Sequence, residues 1–156
     1  NALTYTKNSK KILAMLKYFA PDVEDSIIPI DNFDPAMGAL LAEKIEKGEW
    51  RWCSGDRSTA TSDKTIEGAL LGRKVFLPMG PFLMSYLLNA PVYSFHCFNS
   101  KDGYRIQVRD ITPKVEKSRK NRNEYINELI KNYLSDLESL IINDPTQWFN
   151  FYKYWE

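Results

Sequence analysis

The segment Ser26 to Ser54 constrains the fold more than any other. Ser26 to Ile30 is a short, apolar, β-branched run, and Pro29 puts it near a strand end or a sheet edge. Asp34-Pro35 then supplies an N-cap followed by a proline at the first helical position. Met37, Leu40, Leu41 and Ile45 recur at helical spacing until Gly48 ends the helix, and Glu49 to Ser54 reads as a second strand. Strand, capped helix and strand joined by short connections form a βαβ unit. Its two strands are expected to be parallel, with a right-handed crossover.

On the N-terminal side, Ser9 can cap a helix carried by Ile12, Leu13, Leu16 and Phe19 and stopped by Pro21. Downstream, Gly55 to Lys64 is polar and rich in glycine, serine and threonine, so a loop. Thr65 to Pro78 is extended, with Gly68 and Gly72 as bends or bulges. Gly80-Pro81 opens a helix over Phe82 to Leu88, apolar almost all round and therefore expected to be buried. Val92 to Phe98 and Tyr104 to Val108 alternate around Ser100-Lys101-Asp102-Gly103 and predict a β-hairpin. Ile126, Leu129, Ile130, Tyr133, Leu134, Leu137, Leu140 and Ile141 mark a long amphipathic helix. Asp144-Pro145 starts a final short helix rich in aromatics. The expected class is α/β: a mixed sheet with a parallel βαβ start, an antiparallel hairpin and packed helices. The 156 residues suit a single domain.

Composition excludes several classes. A net charge of +1 argues against nucleic acid as a partner. Cys53 and Cys97 stand far apart and form neither a metal-ligand spacing nor a disulfide framework, so two buried reduced thiols of a cytoplasmic protein are expected. With one histidine and isolated cysteines, no metal is expected. No apolar run approaches the ~18 residues of a membrane span, and no signal peptide is evident. Asn1-Ala2 reads as a remnant of tag removal, which would make the natural chain longer at its N-terminus. Neither G-x-x-x-x-G-K-[ST], G-x-G-x-x-G nor G-x-S-x-G occurs, so no nucleotide site or nucleophile elbow is expected.

Ligands of open α/β sheets bind beyond the carboxyl ends of parallel strands. The loop after the second expected strand reads Cys53-Ser54-Gly55-Asp56-Arg57-Ser58-Thr59. Arg57 there can fork onto a phosphate or carboxylate, and Asp56 can orient it or accept a substrate hydroxyl. A local ion pair or an Asx turn explains the same residues equally well.

Trp52-Cys53-Ser54-Gly55-Asp56-Arg57 resembles the block of the bacterial lipid A biosynthesis-type acyltransferases, in the lysophospholipid acyltransferase superfamily, where a strand ends in an acidic residue and often an arginine. Phe76-Leu77-Pro78-Met79-Gly80-Pro81-Phe82-Leu83 is similar to that family's F-x-P-x-G-P-x-x-L-A stretch, although Ser85 and Tyr86 stand where small residues are usual. Ala90-Pro91-Val92, the Gly103-Tyr104 hairpin and the closing Pro145-Thr146-Gln147-Trp148-Phe149-Asn150-Phe151 continue the resemblance, in order, over residues 8–155.

The resemblance implies the C-terminal portion of an enzyme that moves a fatty acyl group from a thioester to a hydroxyl or amine of a membrane lipid or glycolipid. Its co-substrate would be an acyl-carrier protein or coenzyme A thioester, with no prosthetic group. It also implies that Arg57, and with it Asp56, holds the acceptor's phosphate or sugar, and that the enzyme attaches peripherally to the cytoplasmic side of the bacterial inner membrane; Ser58 can add a hydroxyl contact to the substrate or simply solvate the loop. The family's H-x-x-x-x-D/E block, whose histidine deprotonates the acceptor, is missing. The sole histidine, His96, has Asp102 six residues on and sits in an alternating strand, where a hydrogen-bonded strand histidine is the preferred reading. The catalytic histidine is therefore expected upstream, and this chain inactive by itself. The alternative is a non-catalytic domain that binds an anionic lipid or a partner protein.

Lys114, Lys117, Arg119, Lys120 and Arg122 against Glu116 form a basic linker. Lys117, Arg119 and Lys120 are candidates for contact with anionic lipid, and a solvated charge run explains them too. Trp148, Phe149 and Tyr152 are expected to share one helical face against the sheet. Phe151 and Trp155, four residues apart, are the aromatic candidates for the membrane interface.

Overall fold

A computed structural model describes residues 2–4, 10–20, 26–29, 34–56, 64–151 and 154–155. The chain divides into two compact units, Asn1–Ser54 and Gly55–Glu156. The architecture is mixed α/β, with a parallel start and antiparallel hairpins later.

In the first unit, β1 (Ala2–Thr4) pairs in parallel with β2 (Ile27–Pro29), and α1 (Lys10–Phe19) lies between them in sequence. The expected strand over Glu49 to Ser54 is reduced to one parallel bridge, Ala2 to Trp52, with the Leu3 N–H donating to the Trp52 carbonyl at 2.9 Å. The two expected parallel segments therefore do not pair with each other. Each pairs with Ala2–Thr4, a strand too short to announce itself by alternation.

Helix α2 (Pro35–Glu46) follows the sequence closely. The Asp34 carboxylate accepts from the Met37 N–H at 2.8 Å, and Pro35 occupies the first turn. At the other end Gly48 adopts φ 77°. The Glu49 N–H reaches the Lys44 carbonyl and the Gly48 N–H reaches Ile45, the two bonds of a Schellman motif. Leu3, Ile28 and Leu41 are the buried apolar residues described in this unit. Of the expected helix stripe, Leu41 is buried, whereas Leu40 is exposed.

The second unit is built around α4 (Arg122–Asn143), whose 22 residues extend roughly 33 Å. Its buried face presents Tyr125, Ile126, Leu129, Ile130, Leu134, Leu137 and Ile141. Against it pack Leu70, Val75 and Leu77 of the hairpin β3 (Thr65–Leu70) and β4 (Arg73–Pro78), together with Phe82 and Ile111. Each fully buried leucine or valine contributes about 2 kcal/mol.

The extended Thr65 to Pro78 thus folds back on itself. Leu71 and Gly72, at φ 54° and 72°, make the tight turn whose twist suits a two-residue hairpin loop. Gly68 is not a bulge: it sits in continuous register opposite Val75. A Cβ at Gly68 would lie 2.4 Å from Leu134 Cδ1, so the absence of a side chain lets β3 approach α4.

Helix α3 (Met79–Leu87) starts three residues earlier than expected and is less buried than its apolar sequence suggests. Phe82 is buried, while Leu87 remains 63% exposed. The second hairpin, β5 (Tyr93–Ser100) and β6 (Gly103–Asp110), forms as expected, with Gly103 at φ 122°.

The aromatic C-terminal helix does not form. A 3-10 turn spans Pro145–Gln147, and Trp148 is already extended at φ −95°, ψ 92°. Pro145 permits one turn, and ring packing takes over after it. Trp148 lies 5.1 Å from Tyr154 and 5.6 Å from Trp155, and Trp155 bridges Val75 of β4. The helical face proposed for Trp148, Phe149 and Tyr152 is therefore not a feature of the fold, and Tyr152 lies outside the described residues.

Candidate functional site

The polar loop that follows Ser54 is held at both described ends. Gly55 abuts the Tyr133 ring of α4: a Cβ there would meet Tyr133 Cζ at 3.3 Å. The Tyr133 ring in turn packs edge-on against Phe82 of α3, with centroids 5.7 Å apart. At the other end the Lys64 carbonyl accepts from the Met79 N–H, at the start of α3, at 3.1 Å. The loop therefore springs from the α3–α4 pair and returns to it. Gly55 and Phe82, from two of the stretches that carry the resemblance, both meet Tyr133.

Asp56 is half-buried on this loop. Arg57 and Ser58, the other two expected substrate contacts, lie outside the described residues. In the sequence Tyr133 is only one member of an apolar helix stripe. Nothing in its spacing distinguished a residue supporting the polar loop from one filling the core.

The two cysteines differ. Cys53 is partly buried, and burial pushes its thiol up to about 11, so it stays protonated and poorly nucleophilic near neutrality. Cys97 is exposed on β5, against the expectation of two buried thiols, because its strand position points away from the α4 side. Among the described residues no group of three or more His, Cys, Asp or Glu could hold a metal ion.

His96 occupies a second polar cluster. Its Nε2 lies 3.0 Å from Asp136 Oδ2, across from α4. Ser94 Oγ donates to the same carboxylate oxygen at 2.5 Å, and Arg109 Nη1 donates to Oδ1 at 2.6 Å and to Ser139 Oγ at 3.3 Å. The Asp136 side chain is 4% exposed. A histidine held by a carboxylate has half the geometry of a general base. Here, however, the serine hydroxyl points to the carboxylate and not to the imidazole, so no nucleophile–base pair is assembled. The arrangement is that of a hydrogen-bonded strand histidine, with Asp136 as its partner in place of the sequence neighbour Asp102.

The membrane-contact candidates separate into two groups. Lys117 Nζ donates to the carbonyls of Ser85 at 3.3 Å and Ala90 at 3.4 Å and stands 4.8 Å from the Tyr125 ring centre. Burial holds its ammonium pKa below the usual lysine value, and the charge serves the C-terminal end of α3. Trp155 Nε1 donates to the Leu70 carbonyl at 3.1 Å, with the Arg73 guanidinium 5.5 Å from its ring. Arg119, Lys120 and Phe151 are exposed, Phe151 at 90%. No described helix is long and apolar enough to cross a membrane.

A family model described as bacterial lipid A biosynthesis acyltransferase matches residues 31–156. No curated protein matches the chain. The matched region contains α2, both hairpins, α3, α4 and the whole Gly55–Lys64 loop that Tyr133 and Met79 anchor. The chain belongs to the bacterial lipid A biosynthesis acyltransferase family.

Proposed function

We propose that this chain is the C-terminal, substrate-holding part of an acyltransferase whose general base is supplied from outside residues 1–156. The observation that carries this reading is the combination of family membership with a sole histidine already bound to Asp136. In the reaction, a base takes the proton of an acceptor hydroxyl or amine. The freed lone pair attacks the thioester carbonyl, the carbon–sulfur bond breaks, and the carrier leaves as a thiol after taking up a proton. The donor is a fatty acyl thioester on an acyl-carrier protein or coenzyme A. The acceptor is a lipid or glycolipid at the cytoplasmic face of the inner membrane.

Asp56, Arg57 and Ser58 hold the acceptor's phosphate or sugar in this proposal. A guanidinium suits that task because its planar fork matches an oxyanion and stays charged at every relevant pH. The anchoring of Gly55 on Tyr133, and of Lys64 on the start of α3, supports it by fixing the ends of the loop that carries these residues. Arg119, Lys120 and Phe151 are exposed and suited to a membrane surface.

The test is acyl transfer from a thioester donor to a lipid acceptor, with the chain 1–156 alone and with the complete gene product. The chain alone is expected to transfer nothing. In the complete protein Arg57→Ala should lower transfer roughly a hundredfold. An upstream H-x-x-x-x-D/E on the gene is expected. Transfer by residues 1–156 alone would refute the external base, and an unchanged rate in Arg57→Ala would remove Arg57 from the mechanism.

A further inference from the structure

The second hairpin is a sheet of two strands, so β5 and β6 each have an outer edge. That of β5 is occupied at Asn99. Its N–H donates to Gln147 Oε1 at 2.6 Å, and its carbonyl accepts from Gln147 Nε2 at 3.0 Å. The Gln147 side chain thus stands where a neighbouring strand would. Because Asn99 turns both groups outward, its cross-strand partner Tyr104 does the same, as do Ile106 and Val108 two and four residues on. Among the described residues, no hydrogen bond reaches the outward main-chain groups of these three.

Proteins usually blunt such an edge with a lysine, a proline or a bulge. β6 reads Gly-Tyr-Arg-Ile-Gln-Val-Arg-Asp, contains neither lysine nor proline, and pairs with β5 residue for residue. Its two arginines are engaged away from the edge. Arg109 bonds Asp136 of α4, and the Arg105 guanidinium stands 5.0 Å from the ring centre of Phe98. Tyr104, Ile106 and Val108 alternate with them and are 81%, 58% and 50% exposed.

An open edge by itself accepts any strand, and the charge pattern of β6 selects one. Antiparallel pairing with β6 of a second copy about Ile106 sets Ile106 opposite Ile106 and Tyr104 opposite Val108. It also sets Arg105 opposite Gln107, and Arg109 opposite Gly103. Registers that keep the side-chain alternation differ by two residues. The next one sets Arg105 opposite Arg109, and the one before it sets Arg105 opposite Arg105. Like charges directly opposite each other are unfavourable, so both neighbouring registers are disfavoured and the one about Ile106 stands alone.

We propose that β6 is a homodimer interface. Two hairpins join edge to edge into a four-stranded antiparallel sheet in the order β5, β6, β6, β5, with a two-fold axis at Ile106. The inference goes beyond the acyltransferase reading and does not depend on it. A contact along one strand of about 27 Å is small for an interface, so association should be reversible and rise with protein concentration.

Sedimentation velocity of the chain 1–156 and of the complete gene product over a concentration series tests this. Both are expected to pass from monomer to dimer. Ile106→Lys and Ile106→Glu each set like charges opposite one another and should raise the dissociation constant by more than roughly tenfold. Mixed in equal amounts they set lysine opposite glutamate, and the dimer should return. That rescue requires position 106 to meet its own copy. Phe95→Ser, on β5 and away from the edge, should leave association unchanged. Unchanged circular-dichroism melts confirm that the variants are folded. Should an Ile106 variant melt early, Tyr104→Lys mixed with Val108→Glu gives the same reading, with the mixture pairing more tightly than either alone. Each of these results overturns the proposal: a parent chain that stays monomeric, larger species with no dimer end-point, Ile106 variants that pair as well as the parent, or no rescue in the mixture. Loss of the dimer in Phe95→Ser would overturn it in favour of face-to-face packing. A complete gene product that stays monomeric would overturn it in favour of an edge covered by another part of the same chain.

Discussion

Asp136 on α4 is the hydrogen-bond partner of His96 on β5, forty residues away in sequence, at 3.0 Å between Oδ2 and Nε2. The same carboxylate takes hydrogen bonds from Ser94 and Arg109, so one buried acid fastens both strands of the second hairpin to the long helix. A lone charge at this depth would be strongly unfavourable, and three donors offset that cost.

Asp136→Ala should therefore destabilise the protein substantially. Removing the acid leaves Ser94 and His96 without their partner, while the half-exposed Arg109 can return to water. The expected loss is about 3 kcal/mol. His96→Ala, which leaves Asp136 two donors, should cost about 1 kcal/mol. Urea unfolding followed by circular dichroism measures both, and equal losses would contradict the hierarchy.

Gly68→Ala tests the close approach of β3 to α4. The new methyl would overlap Leu134 Cδ1, so the substitution should cost about 2 kcal/mol although alanine suits a strand no worse than glycine. Shortening the neighbour creates the missing room. In the Leu134→Ala background, Gly68→Ala should be close to neutral. A double-mutant cycle in urea reads the coupling, and additive losses would mean that the two positions do not touch.

How much was legible in the sequence depended on whether a residue's role was local. Asp34-Pro35 and Gly48 set the ends of α2 through bonds spanning three to five residues, and the sequence shows all of it. The second hairpin and α4 were legible because their periodicities persist for eight residues or more. Ala2–Thr4 was not, since three residues carry no period and its pairing with Ile27 and Trp52 is entirely tertiary. The C-terminal aromatics have helical spacing yet form no helix, for a related reason. Their spacing fits a helical face, but contacts among Trp148, Tyr154 and Trp155, and with Val75 of β4, determine the chain path. At the candidate site, the polar residue types of the loop are visible in the sequence, whereas the contacts of Tyr133 and Asp136 depend on how α4 packs.

The two thiols should react at different rates. At pH 8 an alkylating reagent should label Cys97 in the folded protein and spare Cys53, and mass spectrometry should count two labels in denaturant. The raised Cys53 value also makes a pH prediction. The folded thiol holds its proton to about 11 against an ordinary 9.0, so its contribution is fully present below pH 9 and is lost as pH rises towards 11. Cys53→Ala should therefore show a shallower fall in urea midpoint across that window than the parent chain.

Trp155 closes the second unit from its far end. Its indole packs on the core, its Nε1 donates to the Leu70 carbonyl at 3.1 Å, and its ring faces Trp148, Tyr154 and the Arg73 guanidinium. The Leu70 carbonyl precedes the tight turn, where the Leu71 N–H is held by Glu138 Oε2 at 2.8 Å. The turn is thus gripped from two sides, by α4 and by the C-terminal segment. Trp155→Phe keeps most of the packing and removes the N–H, so it should cost about 1 kcal/mol. Trp155→Ala loses both, and because the side chain is only half-buried the expected cost is about 2 kcal/mol, below that of a fully buried tryptophan. If the indole contributes through packing alone, the phenylalanine variant will unfold at the same urea midpoint as the parent.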